Sequence, residues 1–392
     1  MANKKYYIIA GEASGDLHGS NLIRAIYAKD TTANIRCWGG DLMAEAGATL
    51  VKNYKDLAFM GFAEVVTNLR TILGNMKFCK KDIEEFQPDV IVMIDFPGFN
   101  LPIANWAHPK GYKIVWYISP QIWAWKEKRI HEIKKSVDKM LVILPFEKEY
   151  YAKWNYKVEY VGHPLIEVIE KFKQTTAGSF QSADSSWQSL DNKLSTANRQ
   201  LQTEGRQQPT IALLPGSRKQ EILKKLPIML LMAKHFPDYH FVVAKAPGVA
   251  DDFYAPLLEP YPNVSAVANQ TYSLLQQASA ALVTSGTATL ETALFGVPQV
   301  VCYKANRISY EVAKRVIKIK YISLVNLIMD KLVVKELIQH DLTELKLAAA
   351  LKEILEDKKN ITRIKNDYAD LWDLLAAGGH ASEQAARFVV EM

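Results

Sequence analysis

Asp95 stands where the apolar run Asp89-Val90-Ile91-Val92-Met93-Ile94 gives way to Phe96-Pro97-Gly98-Phe99-Asn100. Pro97 limits the conformations of the residue before it and predicts an extended Phe96, so Asp95 stops short of the next helix. A carboxylate so placed, beside two phenylalanines, is suited to a raised pKa and to work as a general base; the other reading is a carboxylate hydrogen-bonded to the next loop. The opening loop Gly11-Glu12-Ala13-Ser14-Gly15-Asp16-Leu17-His18-Gly19 offers a different chemistry. Its glycines follow a G-x-x-x-G-x-x-x-G spacing, not the G-x-G-x-x-G of a dinucleotide turn. Two carboxylates and an imidazole around a helix start oppose a pyrophosphate and suit a neutral, hydroxyl-rich ligand such as a sugar. Ser14 or Asp16 is also placed to cap the helix that follows. The partner of this loop is therefore a sugar or the Asp95 loop itself. Trp116, Trp123 and Trp125 either present stacking faces to a sugar ring or pack in the core. His163, in Val161-Gly162-His163-Pro164, either faces a cleft or is structural.

The second half carries anion chemistry. After Thr210-Ile211-Ala212-Leu213-Leu214 comes Pro215-Gly216-Ser217-Arg218-Lys219-Gln220-Glu221, where Ser217 and Gln220 match a capping box and Arg218 and Lys219 add positive charge at a helix start. Arg218, able to hold phosphate oxygens in pairs, is the better anion ligand. The loop Thr284-Ser285-Gly286-Thr287-Ala288-Thr289 offers hydroxyls and a second helix start for a diphosphate, and Glu291 lies one turn on, suited to a ribose or sugar hydroxyl. Either loop alone is a common helix cap; the two together favour a nucleoside diphosphate. No Asp-x-Asp occurs and no His or carboxylate cluster has metal spacing. Arg218 and helix dipoles would then replace magnesium, so a metal-independent transferase without a cofactor is expected.

These residues need strands that end beside them. Apolar runs at 6–10, 89–95, 113–119 and 140–145, and again at 210–217, 239–247, 278–286 and 298–304, alternate with helical patterns. That grammar predicts parallel sheets in two α/β domains, residues 1–174 and 210–365, with ligands at the carboxyl ends of the strands. Residues 175–209, rich in Ser, Thr, Gln and Asn, read as a polar insertion or linker, and 366–392 as a helical tail broken at Gly378-Gly379.

Composition narrows the class. The 392 residues are 49% hydrophobic and 23% charged, as in a folded chain. Cys37, Cys79 and Cys302 show neither disulfide nor zinc spacing and suggest a reducing cytoplasm. The N-terminus turns polar too early for a signal peptide, and no apolar run reaches the roughly 18 residues of a membrane span. A net charge of +6 with no long basic run or RNA-binding signature argues against nucleic acid. Phe62, Val65, Val66, Leu69, Ile72, Leu73 and Met76 recur at helical spacing beside Arg70, Lys77, Lys80 and Lys81; this is a helix for a lipid surface or an ordinary core helix.

Taken in order, the blocks GEASGD (11–16), MGFAEV (60–65), IDFPGFN (94–100), YISPQIWAW (117–125), LPFEKEYY (144–151), VGHP (161–164), LPGSR (214–218), SGTATLE (285–291) and SLVNLI (323–328) resemble the lipid-A-disaccharide synthase family of glycosyltransferases, family 19. The resemblance covers almost the whole chain outside 175–209. It implies a GT-B fold, two Rossmann-like domains with a cleft between them. It also implies inverting transfer of 2,3-diacylglucosamine from UDP-2,3-diacylglucosamine to 2,3-diacylglucosamine 1-phosphate, giving a β-1,6-linked disaccharide and UDP. The family's essential aspartate falls on Asp95, its phosphate-binding arginine on Arg218 and its asparagine on Asn326. Glu12, Ser14, Asp16 and Trp123 fall among the substrate contacts, and Ser217, Ser285, Gly286, Thr287 and Glu291 among the UDP contacts. Acylated substrates imply a peripheral enzyme on the cytoplasmic face of the inner membrane of a Gram-negative bacterium. The helical tail and the resemblance are compatible with a homodimer. Two departures stand out: Gly98 replaces a second carboxylate found in many relatives, and Lys126 replaces the arginine of a WAWR block. A UDP-sugar 2-epimerase or a muramyl-peptide transferase of the same architecture is opposed by the IDFPGFN and WAW blocks, and an NAD-dependent oxidoreductase by the missing G-x-G-x-x-G.

Overall fold

The computed structural model describes residues 3–56, 69–179, 208–306, 310–311, 315 and 319–392. The chain divides into two compact units, Met1–Glu167 with Leu374–Met392, and Val168–Asp373.

The first unit holds seven parallel strands: β1 (Lys5–Ala10), β2 (Asn34–Gly39), β3 (Thr49–Asn53), β4 (Val90–Ile94), β5 (Lys113–Tyr117), β6 (Lys139–Val142) and β7 (Glu159–Tyr160), in the order β3-β2-β1-β4-β5-β6-β7. The near-continuous apolar runs of β1 and β4 follow from burial of both faces. Tyr6, Ile8 and Ala10 join one layer with Leu22, Ile23 and Ile26 of the helix Ala13–Lys29 and Ala381, Ala385 and Val389 of the helix Ala381–Val390. Tyr7 and Ile9 point the other way, to Cys79 and Ile83 of the helix Leu69–Phe86 and Ile103 and Ala107 of the helix Pro97–Ala107. Strand order reverses between β1 and β4, so the crevice rule for parallel sheets singles out the ends of these two strands, where the opening loop and Asp95 begin.

The second unit repeats the plan with β8 (Thr210–Leu214), β9 (His240–Lys245), β10 (Val264–Ala268), β11 (Ala278–Thr284), β12 (Gln299–Tyr303) and β13 (Lys335–Ile338), ordered β10-β9-β8-β11-β12-β13, all parallel. Its reversal lies between β8 and β11, the strands that precede the two anion loops. The strands β2, β3, β7, β10 and β13 add to the eight runs legible in the sequence. Four of them, β3, β7, β10 and β13, are sheet edges, and β10 (VSAVA) and β13 (KELI) are only partly buried, so their apolar signal is weak.

The tail is shared: the last turn of the helix Lys358–Ala376 and the helix Ala381–Val390 belong to the first unit. There the Ser382 hydroxyl donates to Glu167 Oε2 at 2.6 Å, and the Tyr160 hydroxyl to the Leu375 carbonyl at 3.0 Å. Of the polar segment 175–209, the first residues continue the helix Pro164–Ser179, and 180–207 lie outside the described residues. The block at 60–65, with Phe62, Val65 and Val66, and the side chain of Leu69 also lie outside them. In the described part of that helix Met76 packs on the core, while Leu73 and Phe78 are exposed. Among the described residues no helix is long and apolar enough to cross a membrane.

Candidate functional site

The end of β4 is a strained turn. Asp95 (φ 43°) and Phe96 (φ 49°) are both left-handed, and Ile118 (φ 65°), just past the adjacent β5, is a third. Such residues cost on the order of 1–3 kcal/mol each and persist only where their surroundings hold them. Here Asn100 Nδ2 donates to the Asp95 carbonyl at 2.7 Å, the Asp95 N–H donates to Tyr117 O at 3.3 Å, and the Phe96 and Phe99 rings stack with centroids 5.6 Å apart. The extended Phe96 expected from Pro97 is thus corrected. Proline removes the right-handed helical region, and the helix Pro97–Ala107 begins directly after the strand, a reversal the left-handed region provides.

The Asp95 side chain is exposed on this turn, yet the protein around it withdraws water enough to push its carboxyl up to about 6. Loss of solvent is the main cause and the nearby Glu12 charge the second; the Phe96 N–H opposes both. The carboxyl is therefore largely ionised near neutral pH but a stronger base than an ordinary aspartate, which suits proton abstraction from a hydroxyl.

The opening loop serves this turn. A Cβ on Gly11 would lie 2.3 Å from the Phe96 ring, so only glycine lets that ring rest on the end of β1. Glu12, exposed, occupies the cap position of the helix Ala13–Lys29 without a side-chain cap bond. Ser14 is exposed in the first turn and does not cap. Asp16 does not cap its own helix either: Oδ1 accepts from the N–H groups of Gly40 (2.8 Å) and Met43 (3.0 Å), and Oδ2 from Leu42 (3.3 Å). The buried carboxylate thus fastens the turn after β2. Three of its acceptor positions are taken by amides that the chain reversal at 40–43 would otherwise leave unpaired. His163 is buried, and burial pushes its ring down to about 3; its Nδ1 accepts the Leu165 N–H at 3.2 Å, a structural role. His18 lies close by, its ring also pushed down, to about 4, by burial.

The three tryptophans separate. Trp116 is core, Trp125 is exposed, and Trp123 is half-buried, its Nε1–H donating to Glu147 Oε1 at 3.2 Å and its ring set edge-on to Phe146. Glu147 was not legible as a site residue. It is buried, accepts the Leu144 N–H at 3.0 Å, and has its carboxyl pushed up to about 7 by burial.

In the second unit the helix Lys219–Leu230 starts one residue later than a capping box on Ser217 and Gln220 requires. The N–H groups of Glu221 and Ile222 both donate to the Arg218 carbonyl, which makes Arg218 the cap residue without a side-chain cap bond and leaves Ser217 exposed. The Arg218 side chain is exposed, with Nη1 3.9 Å from Glu221 Oε1. Beneath these loops lies Lys225, a residue that only its i,i+4 spacing from Glu221 hinted at. It is 4% exposed, donates to the Thr284 hydroxyl, and stands 3.8 Å from Glu221 Oε2. Burial above all lowers its pKa. Gly286 caps the helix Thr287–Leu294 at a φ of 136°, a conformation that favours glycine, and leaves Gly286 and Thr287 exposed. The Ser285 hydroxyl donates to the Ile322 carbonyl at 2.7 Å, and Tyr272 donates to Glu291 Oε1 at 3.2 Å; burial raises the Glu291 carboxyl.

Asn326 is fully buried and saturated. Its Nδ2 donates to Val334 O (2.8 Å) and Glu336 Oε1 (2.9 Å), and its Oδ1 accepts from the N–H groups of Val333 and Val334, both at 2.9 Å. In this arrangement both its donors and both its acceptor positions are used within the loop that it holds. Glu336, missed in the sequence, completes that loop by accepting the N–H groups of Ile322 and Ser323. Among the described residues no group of three or more His, Cys, Asp or Glu side chains is arranged to hold a metal ion.

The lipid-A-disaccharide synthetase family model matches residues 6–186 and 187–388. The lipid-A-disaccharide synthase of Trichlorobacter lovleyi is 34% identical over 99% of this chain and 97% of its own length, and that of Geobacter sulfurreducens 35% identical over 98% and 96%. Among solved structures, the glycotransferase of kitacinnamycin aligns with a TM-score of 0.63 at 16% identity, covering 100% of this chain and 99% of that one. UDP-GlcNAc 2-epimerase from Neisseria meningitidis aligns with a TM-score of 0.63 at 14% identity, covering 99% and 98%; likenesses at this identity speak for the fold alone. Two parallel Rossmann-like sheets with a strained aspartate at the switch point of one, and a match along nearly the whole chain, lead to one conclusion: the chain belongs to the lipid-A-disaccharide synthetase family and is a glycosyltransferase.

Proposed function

We propose that the chain transfers 2,3-diacylglucosamine from UDP-2,3-diacylglucosamine to the 6-hydroxyl of 2,3-diacylglucosamine 1-phosphate with inversion, releasing UDP and a β-1,6-linked disaccharide, without a metal ion. One observation carries the mechanism: Asp95 sits on a strained turn at the strand-order reversal with its carboxyl pushed up to about 6. Asp95 takes the proton of the attacking hydroxyl while the oxygen bonds to the anomeric carbon and the bond to the diphosphate breaks. In the second unit Arg218 and the amides at the start of the helix Thr287–Leu294 stabilise the departing diphosphate, and Lys225 adds a buried positive charge behind them. Trp123, held by Glu147, offers an aromatic face to the acceptor sugar. The acyl chains place the reaction at the cytoplasmic face of an inner membrane.

Asp95→Asn tests the assignment, because asparagine also tolerates a left-handed backbone and leaves the turn in place. With both substrates in detergent micelles, UDP release should fall by at least the 10²–10⁴-fold typical of a lost general base, with the unfolding midpoint retained. Near-normal turnover would refute the role of Asp95. Turnover unchanged in EDTA is expected; loss restored by magnesium would refute metal independence.

A further inference from the structure

One part of the first unit takes no part in that account: the turn after Trp123. Trp125-Lys126-Glu127-Lys128-Arg129 leads through a single 3-10 turn, Glu127–Arg129, into the helix Ile130–Ser136. Trp125 is 52% exposed, an unusual place for so large an apolar ring. The Lys126 ammonium stands 4.1 Å from the centroid of that ring, within cation–π range. Arg129 is close enough that its charge, after loss of solvent, lowers the pKa of Lys126. Among the described residues no carboxylate pairs with the side chain of Lys126, Lys128 or Arg129. The one acid of the turn, Glu127, instead lies near Tyr150, whose hydroxyl is pushed up to about 12 by burial and then by Glu127. Some exposed lysines of the unit do have carboxylate partners: Lys55 with Asp41, Lys81 with Glu85, Lys110 with Glu84. Like charges crowded without a counter-ion are unfavourable until an anion arrives.

The turn is also in the right place. It follows the end of β5, the strand beside β4, and the Asp95 N–H bonds to the last residue of β5. Glu147 anchors Trp123 two residues before Trp125. We propose that Trp125, Lys126 and Arg129 form a subsite for a phosphomonoester on a sugar, the 1-phosphate of the acceptor. The indole covers the apolar face of the sugar, Arg129 takes two phosphate oxygens, and Lys126 adds a point charge. This rests on the reading of the acceptor as a sugar 1-phosphate. The same chemistry would hold the phosphate of an anionic lipid headgroup, and the experiment separates the two.

The full-length enzyme is assayed in detergent micelles with 2,3-diacylglucosamine 1-phosphate and with the same lipid lacking the phosphate. In Arg129→Gln the preference in kcat/KM for the phosphorylated acceptor should fall about 10- to 100-fold, the range of a lost charge-assisted hydrogen bond. Arg129→Lys should recover part of it, and Lys126→Arg should sharpen the preference. An unchanged preference in Arg129→Gln overturns the proposal. So does loss of binding to phosphatidylglycerol vesicles with the acceptor preference intact, which would assign the turn to lipid headgroups. Tryptophan emission during titration with glucosamine 1-phosphate reads the subsite without turnover. A change present in the wild type, absent in Trp125→Phe and weakened in Arg129→Gln supports it even if the reaction reading fails. No change at any concentration overturns it.

Discussion

Substituting Glu12 by Gln tests the electrostatic account of Asp95 without touching the base itself. The Asp95 carboxyl lies at about 6, raised first by loss of solvent and second by the Glu12 charge. Removal of that charge takes away the smaller of the two raising contributions, so the acid limb should move down, by roughly 0.5–1 pH unit. The sign follows from the role: a general base works as the carboxylate, so kcat/KM falls as pH drops through the carboxyl's pKa. With a midpoint near 6 only about a tenth of the wild type is ionised at pH 5; lowering the midpoint makes that roughly a third. Glu12→Gln should therefore retain about three times more of its plateau activity at pH 5. The assay is kcat/KM for the acceptor from pH 4.5 to 8.5 with the donor saturating, at low and high salt. Salt screens an exposed charge such as Glu12, so high salt should reproduce part of the shift in the wild type and none in the variant. An acid limb that stays in place in Glu12→Gln, or a wild-type limb near the ordinary aspartate value of about 4, would refute the reasoning.

Gly11→Ala puts a methyl group into the Phe96 ring; we expect a loss of about 1–3 kcal/mol by overpacking, with a fall in kcat as the Asp95 turn is displaced, both read from urea unfolding and initial rates. Asn326→Leu leaves two amides, a carbonyl and part of the Glu336 carboxylate unpaired and should cost roughly 3–5 kcal/mol in the second unit, raising KM for the UDP donor; lost turnover at full stability would instead put Asn326 on the substrate. Glu147 has its carboxyl raised from 4.5 to about 7, so between those values the folded state holds a proton that the unfolded chain has lost. Stability should fall by about 3 kcal/mol as pH rises through that window, and Glu147→Gln should flatten the slope in denaturation curves taken across it.

The alternation of apolar runs with helical stretches determined two parallel sheets, because a strand covered on both faces must be apolar throughout. The same pattern located Asp95, Arg218 and the 284–289 loop, since strand ends at a reversal of strand order are where a parallel sheet exposes side chains to a ligand. Edge strands such as β10 and β13 were not legible, because half-exposed residues need not be apolar. Nor were the bonds each polar side chain makes. Asp16 and Asn326 carry chemistry on paper, yet Asp16 holds the amides of 40–43 and Asn326 those of 333–334, while nothing in the sequence singled out the buried Glu147 and Lys225. Likewise the spacing of the opening glycines does not show that Gly11 is required by Phe96, a residue far along the chain whose ring lies on it. Periodicity fixes which face a residue occupies, and that is a local property of the sequence. Whether a carboxylate is saturated, strained or poised at a pKa of 6 depends on which distant segments fold against it, and only the tertiary structure decides that.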